Sequence, residues 1–284
     1  MAFNYQTLKQ LTGVSFVDGT IQTGKIANTS IVADDVAGTA VTAGKLANNA
    51  VNLGSSVVTG TIPVTKGGTG LTSVGGNNTV LRTNSANNAL EYAQVGFSGM
   101  QVFTGSGTWN RPSGVRYIRV KLVAGGGGGS GHGESGGAGG YSERIMDVTS
   151  IGSVSVSISG ESSGTYYNGR AGNGGGSSFG PYMSAQGGHG ANRQNNHSGG
   201  VSGSAGGGNL NIHQGGGGAH HDSFGPGGTT YFGGAAPSGH PQGGHFAHNH
   251  QGHSAPGTGG TGGYFHGHRG SNGRPGLCVI EEYK

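Results

Sequence analysis

Apolar residues follow three different rhythms along this chain, and each predicts a different kind of structure. In residues 1–18 they stand at Phe3, Tyr5, Leu8, Leu11, Val14 and Phe16, too few to enclose a core. Such a leader suits docking onto another protein, or capping of the segment that follows. From Ile21 the spacing becomes five: Ile21, Ile26, Ile31, Val36, Val41, Leu46 and Val51. Period five is neither the 3.6 of a helix nor the 2 of a strand. One apolar residue in five cannot be buried within one chain, so the pattern predicts identical chains wound about a common axis, each pointing its Ile or Val inward. The alternative is a tether rich in Ala, Asn and Thr.

The third rhythm is alternation. Val80-Leu81 and Leu90 to Tyr92 read as two short strands around a turn rich in Asn and Ser. Ile118, Val120 and Leu122 alternate with Tyr117, Arg119 and Lys121, which predicts a half-buried strand. Further strands are expected at 141–147, at 154–158, more weakly across 177–185, and at 276–283. Trp109, the single tryptophan, is expected to anchor a small core there, with Pro112 to Gly114 as a turn. Cys278, the single cysteine, sits in the last apolar strand and reads as a buried free thiol.

Between these strands lies a reach of another kind. Residues 125–276 hold 51 of the 68 glycines and all 13 histidines. Glycine loses the most backbone entropy on ordering, so this reach is either a disordered linker or a structure that only glycine permits. Order is favoured by the flanking strands, by aromatics that linkers avoid (Tyr166, Tyr167, Phe224, Tyr231, Phe232, Phe246, Tyr264, Phe265), and by a near absence of Lys and Glu. Polyglycine II fits: an extended form whose amides bond to neighbouring segments rather than within themselves. The expected fold class is therefore mostly β and irregular, with a fibrous N-terminal stalk, a small β module, and a C-terminal β-framework with packed polyglycine-II-like segments.

Composition narrows the function classes. Hydrophobic residues are 31% and charged residues 9%, which argues against one large core. The formal net charge of +4 comes from scattered Lys and Arg without a basic run, so no nucleic-acid partner is expected. No secretory signal and no apolar run of membrane-spanning length is found, so no membrane insertion is expected. The Gly-rich runs lack a following Lys-Ser/Thr, His221-Asp222 has no placed nucleophile, and no carboxylate pair suits glycoside hydrolysis. An enzyme is not expected.

Several stretches resemble phage tail proteins. Lys25 to Ile31 and Lys45 to Val51, two copies of one repeat, resemble those of tail fibre stalks. Gly67 to Ser73, followed by Val80-Leu81 and Leu90 to Tyr92, resembles a small module of phage tail proteins. Phe103 to Trp109, Pro112 to Val115, Val120 to Gly128 and the closing Gly273 to Ile280 resemble the glycine-rich terminal domain of phage tail fibres. A looser likeness is to the glycine-rich adhesins of T-even-like phages, whose loops between packed polyglycine-II helices bind the host receptor. The resemblance implies a virion-attachment leader at 1–18, a repeat stalk at 19–60, a β module at 61–97 and a receptor-binding tip at 98–284. It further implies a homotrimer made in the host cytoplasm and carried on the virion, attached to a tail or baseplate protein through residues 1–18. The expected receptor is a host surface glycan or outer-membrane protein.

If the glycine runs are scaffold, the islands between them are displayed, and loops on rigid scaffolds are where binding residues concentrate. The candidate receptor contacts are His197, His213, His220, His221, Phe224, Tyr231, Phe232, His245, Phe246, His248, His250, Tyr264, Phe265, His266 and His268. Rings can stack on sugars while polar tips orient them; alternatively the aromatics plug the scaffold edges and only His and Asn face out. His248-Asn-His250 and His266-Gly-His268 also read as metal ligands, since residues i and i+2 of an extended chain point the same way. Two ligands per chain become six on a threefold axis, and the tail-fibre resemblance implies iron or another divalent metal; otherwise no cofactor is expected. The competing class is a structural, antifreeze-like or metal-binding polyglycine protein without a receptor role.

Overall fold

The computed structural model describes residues 64, 68–166, 169–192, 198–217, 226–235, 254–263 and 269–284. The leader and the period-five repeat lie outside the described residues. Among the described residues the regular structure is β, and no helix is long and apolar enough to cross a membrane.

The alternating segments form strands where expected. β1 (Thr79–Thr83) and β2 (Leu90–Gln94) pair antiparallel as a hairpin. β3 (Phe97–Phe103), β4 (Gly107–Asn110), β5 (Tyr117–Val123), β6 (Tyr141–Asp147), β7 (Ser153–Ser157), β8 (Ser177–Phe179), β9 (Met183–Ala185), β10 (Ala205–Gly206), β11 (Leu210–Ile212) and β12 (Leu277–Tyr283) follow. The weak signal across 177–185 resolves into β8 and β9, which turn at Gly180 with a positive φ of 48°. Leu210–Ile212, part of an island expected on display, is instead an edge strand paired with β6. Three residues are too few for alternation to register.

Two five-stranded antiparallel sheets result, ordered β10-β9-β8-β7-β4 and β11-β6-β5-β12-β3. Each strand turns one face inward, so Val154, Val156, Phe179 and Met183 of the first sheet meet Ile118, Val120, Leu122 and Ile280 of the second. Trp109 is fully buried, packs on Phe179, and reaches across the core to donate its indole N–H to Glu282 Oε1 at 2.9 Å. Gln101 Nε2 donates to the same oxygen at 2.7 Å, which satisfies a carboxylate only 4% exposed. Cys278 is buried as expected, and burial pushes its thiol up to about 12.

The glycine-rich segments run out of this sandwich and back. Segment 124–130 leaves β5, and 135–140 returns to β6. Likewise 159–165 leaves β7 and 170–176 returns to β8, while 186–192 leaves β9 and 198–204 returns to β10. Segment 213–217 leaves β11, 226–230 runs back, and 255–263 with 269–276 completes the path to β12. Their backbone groups bond between segments. Along 124–130 the amides of 124 and 127 donate to Gly140 and Gly137, those of 125 and 128 to Gly175 and Gly172, and those of 126 and 129 to Arg274 and Ser271. The carbonyls follow the same count: 125 and 128 accept from Gly188 and Ala191, 127 and 130 from Gly260 and Gly263, and 126 and 129 from the Ser162 hydroxyl and the Thr165 amide. Every third residue thus faces the same neighbour. Segment 135–140 is surrounded in the same way by 124–130, 186–192, 198–204, 213–217, 226–230 and 255–263. Both central segments are wholly buried.

Glycine is required there by space. A Cβ on Gly127 would lie 2.1 Å from the His189 carbonyl oxygen, and one on Gly137 would lie 2.2 Å from that of Val201. Segments at this separation satisfy nearly all their buried amides, which replaces the apolar core that the composition denies them.

Candidate functional site

The reversals between outgoing and returning segments gather at the end of the glycine layer farthest from the sandwich. The turn 131–134 joins the two central segments, and around it the chain reverses across 166–169, 192–198, 217–226 and 263–269. Backbone bonds tie these reversals together. Thr165 donates to Gly129 and Gly270 to Thr165; Asn192 and Ser198 exchange bonds; Gly217 donates to Gly200, and Gly200 to Ser135. The alternating directions of the segments bring the ends of sequence-distant segments together.

Most of the candidate contacts fall within these reversals or in 236–253. His197, His220, His221, Phe224, His245, Phe246, His248, His250, Tyr264, Phe265, His266 and His268 lie outside the described residues. Their anchors are described. Those of 193–197, 218–225 and 264–268 are at the far end. Segment 236–253 instead leaves at Ala235 and re-enters at Ser254, beside the sandwich, where Thr230 exchanges bonds with Gly233 and its hydroxyl donates to the Pro256 carbonyl at 3.0 Å. The described residues that flank the two His-x-His pairs therefore stand at opposite ends of the layer. Among the described residues no group of three or more metal-ligating side chains is assembled.

Three candidates are described, and all stand at the sandwich end. His213 is exposed just beyond β11. Tyr231 stacks on Tyr141 with ring centroids 4.3 Å apart, and Phe232 meets both rings edge-on. Tyr141 is fully buried whereas Tyr231 is 51% exposed. Burial, reinforced by its hydrogen bond to Glu143, raises the Tyr141 hydroxyl well above its ordinary value.

Residues that were not among the candidate contacts also stand at the far end. Glu134 and His132 are buried in the central turn, and the Ser130 hydroxyl donates to Glu134. Arg269 donates from Nε to the Gly164 carbonyl at 3.0 Å, with its guanidinium 6.0 Å from the Tyr166 ring centroid. Tyr166 is 61% exposed. This pair gives the far end an aromatic face and a fixed cation. Their signal in the sequence was only an aromatic and an arginine beside two separate glycine runs.

The outer face of the sheet containing β5 carries a ladder of ion pairs. Lys121 Nζ donates to Glu281 Oε1 at 2.7 Å, and Arg119 Nε donates to Glu143 Oε1 at 2.7 Å. Tyr283 and Tyr141 donate their hydroxyls to the remaining oxygens of Glu281 and Glu143. The Lys121 bond foremost holds Glu281 below the usual carboxylate range. Burial opposes the same shift at Glu143, but the bonds from Tyr141 and Arg119 outweigh it. Each carboxylate oxygen of Glu281 and Glu143 thus accepts from at least one donor.

No curated protein matches the chain. Residues 100–283 match a family described as a glycine-rich domain. The matched span begins within β3 and closes within β12, so it takes in both five-stranded sheets and the whole glycine layer. With well over half of its length matched, the chain belongs to the glycine-rich domain family.

Proposed function

We propose that this chain is a phage tail fibre protein whose glycine-rich tip binds a receptor on the host cell. The observation that carries this reading is the gathering of five chain reversals at one end of a layer cross-linked by backbone hydrogen bonds. We read the glycine segments as polyglycine-II helices. The return of every third amide to the same neighbour is what three residues per turn requires. Rigid segments fix the reversals in place, so that contact residues need not be ordered when a partner arrives.

In this reading residues 98–284 form the tip, 61–97 a small module, 19–60 a trimeric stalk, and 1–18 the attachment to a tail or baseplate protein of the virion. Tyr166 and Arg269 join the far-end contacts, and rings beside fixed cations and amides suit a surface glycan or the loops of an outer-membrane protein. His213, Tyr231 and Phe232 form a separate group beside the sandwich. The role is binding rather than catalysis. The two His-x-His pairs could share a divalent metal such as iron only where 236–253 reaches the far end, or where neighbouring chains contribute.

The test uses a labelled fragment of residues 95–284 incubated with a panel of Gram-negative strains. Strain-selective retention is expected, together with block of phage adsorption on the retained strains. Exchange of 218–225 and 264–268 for Gly-Ser segments of equal length is expected to abolish both while the fold survives. Absence of retention on every strain, or retention unchanged by the exchange, refutes receptor contact by these loops. It would favour a purely structural polyglycine protein.

A further inference from the structure

The sheet ordered β11-β6-β5-β12-β3 buries one face in the sandwich and leaves the other open except at its Val123–Tyr141 end, where Tyr231 and Phe232 pack on Tyr141. Cross-strand register defines rows on that open face. Phe97, Tyr283 and Tyr117 form one row, with Phe97 edge-on to Tyr283 at 6.0 Å. Met100, Glu281, Arg119 and Ile145 form the next; Val102, Val279, Lys121, Glu143 and Leu210 form a third. The ion-pair ladder runs through the middle. Apolar side chains flank it on both sides: Phe97 is 64% exposed, Met100 57% and Val102 50% toward one edge, while Ile145 is 60% and Leu210 45% exposed toward the other.

We propose that a second copy of this chain packs on this face, the β3 side of one copy against the β6 and β11 side of the next. The inference rests on the reading of residues 19–60 as a stalk of side-by-side chains. Three observations point to a copy rather than another partner. First, the chain enters the sandwich at Phe97, the start of the edge strand that carries Phe97, Met100 and Val102. Chains joined through the repeat would hold copies of this edge at high local concentration. Second, a ring of identical copies needs two different patches per copy, because its contacts are head-to-tail; the sheet has one toward each edge. Third, Arg119 and Lys121 are balanced by Glu143 and Glu281 within the copy, at 2.6 to 3.8 Å. Covering them with another copy brings no net like charge together.

At such exposures each of these side chains presents on the order of 100 Å², so together they offer roughly 500 Å², below the ~800 Å² per partner of a standard interface. The face is thus too small to assemble free tips. It suffices once the stalk raises the local concentration to about the millimolar range.

The experiment therefore uses the full chain. Val102→Cys and Ser155→Cys chains are made, the latter reporting the exposed outer face of the opposite sheet. Cys278 is buried with its thiol pushed up to about 12, so it stays silent. Mass is read by light scattering and thiol reaction by a bulky maleimide. A trimer mass is expected, with Val102→Cys labelled at least tenfold more slowly than Ser155→Cys. Adding Ile145→Glu is expected to raise that rate toward the control while the stalk keeps the mass unchanged. A trimer whose two thiols react equally fast overturns the packing face and leaves the stalk reading intact. A monomer mass overturns both.

Discussion

Gly127 offers the sharpest test of how the glycine layer stands up. A Cβ added there would lie 2.1 Å from the His189 carbonyl oxygen, 2.3 Å from its carbon and 2.6 Å from the Gly190 nitrogen. All are backbone atoms, so no side chain can rotate away. To reach an ordinary contact of 3.4 Å the carbonyl must recede by about 1.3 Å. That movement pulls segment 186–192 from its neighbours, because the same carbonyl accepts from Gly137 at 3.0 Å and the His189 amide donates to Val201 at 2.9 Å. Overpacking costs about 1–3 kcal/mol and each hydrogen bond lost about 1 kcal/mol net. Gly127→Ala is therefore expected to cost about 3–5 kcal/mol, which lowers Tm by roughly 6–20 °C for a domain of this size. Gly160 is the control. It lies in the same layer, it is exposed, and a Cβ there meets nothing within 4 Å. Gly160→Ala is expected to be neutral or to stabilise by about 0.4–1 kcal/mol, through a less flexible unfolded chain. Differential scanning calorimetry of the two variants beside wild type decides it. A Gly127→Ala chain within about 1 kcal/mol of Gly160→Ala would refute packing by absent side chains.

Two further outcomes follow from the sandwich. Trp109→Phe keeps an aromatic side chain but removes the indole donor to the buried Glu282 and part of the buried ring; a loss of about 2 kcal/mol or more is expected in urea unfolding followed by circular dichroism. Equal stability would mean that the bond contributes nothing. Glu281 and Glu143 are held below the usual carboxylate range in the folded chain. Their contribution is therefore complete above the unfolded value of about 4.3 and is lost as pH falls through the lower folded values. Tm should fall on acidification from pH 5 to 3, and Glu281→Gln should flatten that fall. A variant with the same acid slope as wild type would remove Glu281 from the account.

The strands were legible because alternation is local. Tyr117 to Val123 announces its buried face by counting residues in twos, and so do Ser153–Ser157 and Leu277–Tyr283. β3, β4, β10 and β11 were not expected from the sequence; β10 and β11 are two or three residues long and carry no period. Trp109 could be expected at the core, but its bond to Glu282 could not, since the two residues are far apart in the chain and meet only across the sandwich. Tyr231 and Phe232 were legible as aromatics between glycine runs; their packing on Tyr141 was not, because that ring arrives from β6.

By itself the sequence determined that this chain is built on β-strands and glycine rather than on a large apolar core. Composition and alternation are properties of neighbouring residues and need no fold to be read. It also singled out the islands between the glycine runs. Only the tertiary structure decided which glycines are indispensable and where the islands go. A run such as Gly125 to Gly129 looks uniform along the chain, yet its successive amides face three different segments, and the space left at each is set by backbone from residues far away. The same packing sets the residues that flank 193–197, 218–225 and 264–268 at one end of the layer and those that flank 236–253 at the other. No local rule distinguishes those positions, because they depend on the order and direction in which the segments are stacked.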